Sequence, residues 1–346
     1  MESTLYLLTG AAGFLGSNIS RELVTQGKKV RALVLEGDPA VKMVPPEVDI
    51  VIGNLLDNAS LEQFFTVKKD AKIIVIHCAG LVTVSPDYDQ KVYDVNVTGT
   101  QNIIRHCLEH KVAKLVYISS TGAIPECPKG QVIREVDSFN PEAVVGFYGK
   151  TKAEATQLVL DATRKNGLNA SIVFPTGIFG PDDYAYGYVT NMIIDYTYGK
   201  IPAGVAGTFN AVDVRDLANS IIACVDKGRK GEGYIMSNSL LSMRDMYWLI
   251  HKYTDAPEVK RIFPIFVAKI IAFFAAVVSK ITKKPALITN YMIYNLARNN
   301  EFSSEKAERE LGYHARPFER TMADSVAWLK RENKLKSTER RPAALV

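Results

Sequence analysis

Short apolar runs alternate with amphipathic stretches over the first half of the chain. Thr4 to Thr9 is an apolar run of strand character, and a helical pattern opens soon after it with Ser17, Asn18, Ile19 and Leu23. Lys29 to Leu35, Val48 to Ile52, Ile73 to Ile76, Leu115 to Ile118 and Ser171 to Phe174 share that strand character. Between them, Ser60 to Val67, Tyr88 to His110 and Pro141 to Lys165 read as helices. This alternation predicts an α/β fold, a doubly wound parallel sheet with helices on both faces. Ligands of such sheets bind beyond the carboxyl ends of the strands, so chemistry is sought in the segments that follow each run.

Beyond Pro175 the alternation stops. Asp182 to Gly207 is rich in Gly and Tyr. Asn210 to Val214 reads as a strand returning to the sheet, with Leu217 to Val225 as its helix. Ser242 to Tyr253 is helical, with Ser242 as the N-cap, and so are Leu287 to Ala297, Ser304 to Leu311 and Arg320 to Lys330. These predict a second, smaller and mostly helical lobe. The expected division is a first domain of residues 1–174 with 208–230, a second lobe of 175–207 with 231–330, and a basic tail of 331–346.

One stretch is strongly apolar, Ile262 to Ile281. Pro264 and Lys269 interrupt it, and its clean run, Ile270 to Val278, has nine residues. A membrane span needs roughly 18 to 20. The reading preferred is a helix packed over the protein or closing a pocket, with peripheral contact to a membrane surface through 262–281 as the alternative.

Composition adds bounds. With 346 residues, 47% hydrophobic and 23% charged, the chain suits a globular protein of one large or two smaller domains. The net charge is +5, and Lys330, Arg331, Lys334, Lys336, Arg340 and Arg341 account for part of the excess. That is a solvated tail rather than a nucleic-acid surface. Cys78, Cys107, Cys127 and Cys224 are scattered, without a C-x-x-C pair or a Cys/His cluster. Reduced thiols in a cytoplasmic protein without a metal site are the expectation, and no signal peptide is expected before the first strand.

The first run leads into Gly10-Ala11-Ala12-Gly13-Phe14-Leu15-Gly16. Gly10 permits a tight strand-to-helix turn, Gly13 lets backbone approach a pyrophosphate, and Gly16 lets the helix pack on the strand. Phosphates then sit at a helix N-terminus, where free N–H groups and the macrodipole favour negative charge. Further on, Tyr148-Gly149-Lys150-Thr151-Lys152 puts a Tyr and a Lys four apart, on one helical face. They follow the strand-end hydroxyls Ser119-Ser120-Thr121. A Tyr is a poor base at neutral pH, and a nearby ammonium is expected to lower its pKa. Tyr148 then passes a proton as hydride moves, Lys152 holds the nicotinamide ribose, and Ser120 or Thr121 orients the substrate oxygen. His77 reads as structural and Cys78 as core filler.

Gly10-x-x-Gly13-x-x-Gly16, His77-x-Ala79-Gly80, Asn96-Val97-Thr98-Gly99-Thr100, Tyr148-x-x-x-Lys152 and Pro175-Thr176-Gly177-Ile178-Phe179-Gly180-Pro181 occur in that order. Together, over about residues 4 to 330, they resemble the extended short-chain dehydrogenase/reductase superfamily. The resemblance implies a Rossmann-type dinucleotide domain with a smaller C-terminal substrate lobe. It implies Tyr148 as acid/base and Lys152 as the ribose-binding residue. Gly10, Gly13, Phe14, Leu15 and Gly16 would lie at the phosphates, and Asn54 and Leu55 by the adenine. Ala79, Gly80 and Asn96 would lie along the cofactor, and Pro175 near the nicotinamide. Related reductases use the second strand-end serine, here Ser120, and some epimerases the next residue, here Thr121; Ser120 is preferred.

Pro175 to Pro181 and the apolar Phe263 to Val278 stretch resemble the dihydroflavonol reductase and 3β-hydroxysteroid dehydrogenase branch. The expected function is an NAD(P)-dependent interconversion of a secondary alcohol and a ketone on a bulky, apolar small molecule. A nucleotide-sugar epimerase or dehydratase is the alternative, for which Arg244, Arg261 and Arg298 are the available diphosphate partners. A non-catalytic dinucleotide-sensing protein stands further off, and a homodimer is compatible with all three. The usual NAD-reading acid falls on Val34, and the Arg of NADP reductases on Leu35. Glu36 follows closely and would repel a 2′-phosphate, while Lys42 would have to fold back, so NAD is preferred over NADP. Tyr184, Tyr186 and Tyr188 alternate and either pack the lobe or line its pocket.

Overall fold

The structure, a computed structural model, describes residues 4–67, 71–282 and 289–335. Seven parallel strands form the main sheet. They are β1 (Thr4–Thr9), β2 (Lys29–Val34), β3 (Asp49–Ile52), β4 (Lys72–His77), β5 (Lys114–Ile118), β6 (Ala170–Pro175) and, later in the chain, β10 (Gly233–Met236). Their order is β10-β6-β5-β4-β1-β2-β3. The first crossovers run through α1 (Phe14–Thr25), α2 (Asn58–Phe65) and a helix whose halves are α3 (Gln90–Tyr93) and α4 (Gly99–Glu109). A wider π turn, Asp94–Thr98, joins those halves. α5 (Phe147–Asn166) then leads into β6.

Strand β1 has neighbours on both edges, with Thr9 opposite Leu33 of β2 and His77 of β4. Its residues alternate between two layers. Leu7 joins Phe64, Phe65, Ile103 and Val159 on the face covered by α2, α4 and α5. Leu8 joins Ile19, Leu23, Leu217 and Ile221 on the face covered by α1 and α7 (Val214–Lys227). Each fully buried side chain of this size contributes roughly 1.5–3 kcal/mol of transfer free energy. The order of strands puts the β1/β4 junction near the middle of the sheet, where the chain switches direction across it.

The second half departs from the sequence pattern in three places. β7 (Gly177–Phe179) leaves the sheet and pairs with β9 (Thr208–Asp213), beyond which lies β11 (Ser239–Ser242). The segment expected to return to the main sheet, Asn210 to Val214, is therefore the middle of a separate three-stranded sheet. The returning strand is β10, four residues long and paired with β6. Both runs are short and apolar and adjoin α7, so only pairing with distant strands decides between them. The Gly- and Tyr-rich segment holds a helix, α6 (Tyr188–Thr197).

A third core of Phe179, Met246, Ile250, Phe318, Met322 and Trp328 joins this small sheet to α6, α8 (Met243–Tyr253) and α12 (Phe318–Arg331). Ser242 caps α8 in a reciprocal capping box with Asp245. α11 (Glu305–Leu311) returns to the main sheet through Ala307 and Leu311. Residues 336–346 of the basic tail lie outside the described residues.

The apolar stretch forms a two-residue pairing between β8 (Gly204–Val205) and β12 (Ile262–Phe263), then α9 (Ile265–Thr282). The expectation of a helix packed over the protein is only partly met. Its inward stripe is small, with Ala268 and Ala272 meeting Ile293 of α10 (Asn290–Ala297). The large residues point out: Phe266 is 66% exposed, Phe273 62% and Phe274 62%. A helix apolar on every side does not announce which face it buries. No described helix is long and apolar enough to cross a membrane.

Candidate active site

The chain turns after β1 at Gly10, whose φ of 72° suits glycine. A Cβ there would stand 2.7 Å from the Ala79 amide nitrogen, so the close approach of the β1 and β4 ends depends on its absence. Gly13 N–H closes the turn on Gly10 O at 3.0 Å, and Gly16 packs against the same carbonyl with no room for a side chain. Gly13 differs. It precedes α1, no side chain caps that helix, and a Cβ would find only Gly10 O nearby, at 3.3 Å. The first-turn amides are therefore uncovered. Leu15 is buried beneath them and Phe14 half-buried beside them.

A hydrogen-bonded chain holds the neighbouring strand ends. Ala79 N–H donates to Thr9 Oγ1 at 3.2 Å, Thr9 Oγ1 meets His77 Nδ1 at 2.7 Å, and His77 Nε2 meets Thr100 Oγ1 at 3.0 Å. Thr100 donates its own proton to Asn96 O at 2.7 Å. His77 Nε2 is therefore the donor and Nδ1 accepts from Thr9. Burial pushes the imidazole down to about 3, so it stays neutral and ties β1 and β4 to α4. Asn96, inside the π turn, accepts from Leu81 N–H at 2.8 Å. It donates to Leu81 O at 2.9 Å and to Thr151 Oγ1 at 3.1 Å. It thus fixes Gly80, where a Cβ would stand 3.3 Å from both Asn96 Oδ1 and Lys152 Nζ. Near β3, Asn54 Oδ1 caps its own turn through Leu56 N–H at 3.0 Å, and the buried Leu55 gives its carbonyl to Asn102 Nδ2 at 2.9 Å.

The three hydroxyls after β5 have different partners. Thr156 Oγ1 donates to Lys152 O at 2.6 Å, so the buried Ser119 donates to Thr156, also at 2.6 Å. Thr121 is buried and donates to Pro175 O at 3.2 Å. Ser120 is half-buried and accepts from Gly122 N–H at 3.1 Å, and its hydroxyl acts to lower the pKa of the Tyr148 phenol. Lys152 is buried and donates to Ile118 O at 2.8 Å, its ammonium 5.1 Å from the Tyr117 ring. Ser120, Tyr148, Lys152, Gly80 and Asn96 are thus brought together at the carboxyl end of the sheet.

Burial sets the electrostatics. It pushes Lys152 down to about 8 and Tyr148 up to about 12, the latter against the opposing influence of the Ser120 hydroxyl and with Tyr291 and Cys78 adding to the rise. The lowering of Tyr148 expected from Lys152 is not what the protein alone produces. Near neutral pH the phenol holds its proton and is an acid toward an oxygen placed beside it. Cys78 is pushed up to about 12 by burial, which leaves an unreactive thiol.

Other expected residues lie apart from this group. Val34 is buried at the end of β2, while Leu35 and Glu36 are exposed just beyond it and Lys42 is exposed on the Pro39–Met43 turn. Tyr184 and Tyr186 pack on Trp328 at ring separations of 5.4 and 5.9 Å and belong to the small core. Tyr291 and Tyr294 carried no sequence signal, whereas Arg298 was one of the available diphosphate partners. Tyr291 lies on Gly146, whose φ of 88° and contact with that ring exclude a side chain. Tyr294 donates to Glu126 Oε2 at 2.7 Å. Arg298 stands 6.0 Å from the Tyr294 and Phe302 rings, and its Nε and Nη2 are buried without a hydrogen-bond partner among the described residues.

A bare helix N-terminus beside a Ser–Tyr–Lys group, at the switch point of a parallel sheet, defines a dinucleotide-dependent enzyme. The chain belongs to the NAD dependent epimerase/dehydratase family, whose model matches residues 6–237. It is an NAD-dependent enzyme of the extended short-chain dehydrogenase/reductase type. It is 28% identical over 329 residues to sterol demethylase protein B of Methylococcus capsulatus, covering 94% of this chain and 98% of that protein. It is 26% identical over 320 residues to the 4-hydroxy-2-methyl-3-oxo-4-farnesyl-3,4-dihydroquinoline-1-oxide ketoreductase of Stigmatella aurantiaca, covering 89% and 91%. Among solved structures it is similar to that of gox2253, with a TM-score of 0.83 and 27% identity over 97% of this chain and all of that one.

The residues present fit the family's dinucleotide. The amides after Gly13 suit its pyrophosphate, and Gly80 leaves space beside Lys152 that a Cβ would fill.

Proposed function

We propose that this enzyme interconverts a secondary alcohol and a ketone on a bulky, apolar substrate. The observation that carries the reading is the grouping of Ser120 and Tyr148 with the buried Lys152 at the carboxyl end of the sheet. In the reducing direction Ser120 donates to the ketone oxygen and holds it, and Tyr148 Oη gives that oxygen its proton. In the oxidising direction Tyr148 takes the proton back. Lys152 holds the nicotinamide ribose and keeps Tyr148 within reach of the substrate oxygen. When bound, NAD supplies or accepts the hydride at the carbinol carbon. Thr121 positions Pro175 rather than the substrate, since its hydroxyl already serves the Pro175 carbonyl. In this reading residues 4–175 with 214–236 hold the dinucleotide, and 176–213 with 237–335 hold the substrate. Glu36, exposed just beyond β2, supports NAD over NADP because it opposes a 2′-phosphate.

Two observations support an apolar substrate. Both relatives named above carry names for chemistry on large apolar molecules, a sterol and a farnesylated quinoline. The exposed face of α9 also supports docking on a lipid surface, where such molecules reside. Phe266, Ile270, Phe273 and Phe274 recur at helical spacing, with exposed Lys260, Arg261 and Lys269 close by.

A nucleotide-sugar substrate is the second reading, favoured by Arg298. A diphosphate would satisfy its two buried, unpartnered nitrogens. A steady-state screen separates the two. Bulky apolar ketones should consume NADH in proportion to product. Turnover of UDP- or dTDP-sugars without net change in NADH would favour the second reading.

A further inference from the structure

Away from the catalytic group, α4 carries two histidines four residues apart, His106 and His110, and α2 lays Glu62 against them. His106 is 1% exposed. Its Nε2 faces Asn58 Oδ1 at 3.1 Å, and the same oxygen accepts from Arg105 Nη2 at 2.7 Å. Arginine only donates, so the Asn58 atom is an acceptor and the facing ring nitrogen carries the hydrogen. His106 Nδ1 is then a bare lone pair, buried and with no hydrogen-bond partner among the described residues.

That lone pair faces anions. Glu62 Oε2 lies 3.7 Å away and Glu109 Oε2 3.8 Å, both too far to be hydrogen-bonded. His110 Nε2 lies 3.5 Å from the same Glu62 oxygen. The His106 lone pair and the two carboxylates repel one another unless a cation stands between them. The ligand atoms of Glu62, His106 and His110 all lie within 4.8 Å of one another. Donors bound tetrahedrally at 2.0–2.2 Å stand about 3.4 Å apart, so small side-chain shifts close the site. Phe65 stacks on His106 at 5.3 Å and packs on His110 at 5.4 Å, holding both rings in place.

We propose that Glu62, His106 and His110 bind a zinc ion that ties α2 to α4. Two imidazoles and one carboxylate suit Zn²⁺ rather than Mg²⁺ or Ca²⁺, which take oxygen donors. Asn58 serves as the outer partner that fixes the His106 tautomer. The fourth position falls to water or to Glu109. This departs from the sequence expectation of no metal, which considered cysteine clusters and passed over the His-x-x-x-His spacing. The ion would brace the junction at which Asn102 of α4 holds the Leu55 carbonyl.

The test is calorimetric titration of the tag-free, chelator-stripped full chain with Zn²⁺, alongside thermal melting. We expect one ion per chain, a dissociation constant in the micromolar range or below, and a raised melting temperature that Mg²⁺ does not reproduce. Glu62→Gln, at an exposed position, and His110→Ala, at a half-buried one, should each weaken binding at least tenfold, and Glu62→Gln should leave the zinc-free melting temperature nearly unchanged. Absence of stoichiometric binding overturns the proposal. So does zinc binding that both variants retain in full, because the ion would then lie elsewhere.

Discussion

The side of the site proposed to hold the dinucleotide and the side proposed to hold the substrate are built differently. Along the ends of β1 and β4, buried polar side chains find partners inside the protein. Thr9, His77, Thr100 and Asn96 form one connected chain, and Asn96 extends it to Leu81 and Thr151. On the other side, Arg298 has two nitrogens without a hydrogen-bond partner among the described residues, and α9 turns large apolar residues outward. A buried, satisfied network gives a rigid cradle for a ligand of fixed shape. Buried donor nitrogens without hydrogen-bond partners and exposed apolar surface point to something outside the chain. The first half is specified by backbone geometry, the second by what it meets.

The largest effect expected on the dinucleotide side follows Gly16→Ala, whose Cβ would collide with the Gly10 carbonyl. That variant should fail to fold or melt far below wild type. Gly13→Val should instead fold, since only Gly10 O lies near the new side chain, yet lose its thermal stabilisation by NAD(H). Equal stabilisation of Gly13→Val and wild type would remove the phosphate site from this loop.

Tyr148→Phe comes next. It deletes the proton donor alone and should lower kcat about a hundredfold or more, with NAD affinity within a few-fold of wild type. Turnover close to wild type would break the acid/base assignment.

On the substrate side, Phe266→Ser with Phe273→Ser should abolish co-flotation with anionic vesicles and leave NAD binding unaltered. Flotation that persists would place the contact elsewhere.

The smallest effect concerns Lys152, whose value is lowered to about 8 from an unfolded value near 10.5. Between those values the unfolded chain binds more protons, so wild-type stability rises with pH there. The penalty for its buried charge is fully present below about pH 8. Lys152→Met should therefore melt about 1–3 °C higher at pH 7, with the gain shrinking toward pH 10.5. A gain independent of pH would refute the buried charge as its cause.

The same contrast explains what the sequence revealed. Gly10, Gly13 and Gly16 answer local demands of a turn, so their spacing is readable without the fold. The pairing of Tyr148 with Lys152 is likewise one helical turn. The choice between β9 and β10 was not readable, because both are short apolar runs and partners far along the chain decide their sheet. The sequence preference for Ser120 over Thr121 came from resemblance alone; that the Pro175 carbonyl takes the Thr121 hydroxyl was not readable. The rise in Tyr148 could not be foreseen either, since spacing reports a nearby cation but not the burial that outweighs it. Tyr291 on Gly146 and Glu62 beside His106 and His110 join residues whose proximity only tertiary packing creates.

The most direct test of the central claim follows the hydride. Wild-type enzyme is incubated with nicotinamide-deuterated NADH and a bulky sterol-like ketone, and the product is analysed by mass spectrometry. The account predicts one deuterium on the carbinol carbon, one NAD⁺ formed per alcohol, and loss of both with Tyr148→Phe. Sugar-nucleotide conversion with the label retained on the cofactor, and no label in any apolar alcohol, would contradict it.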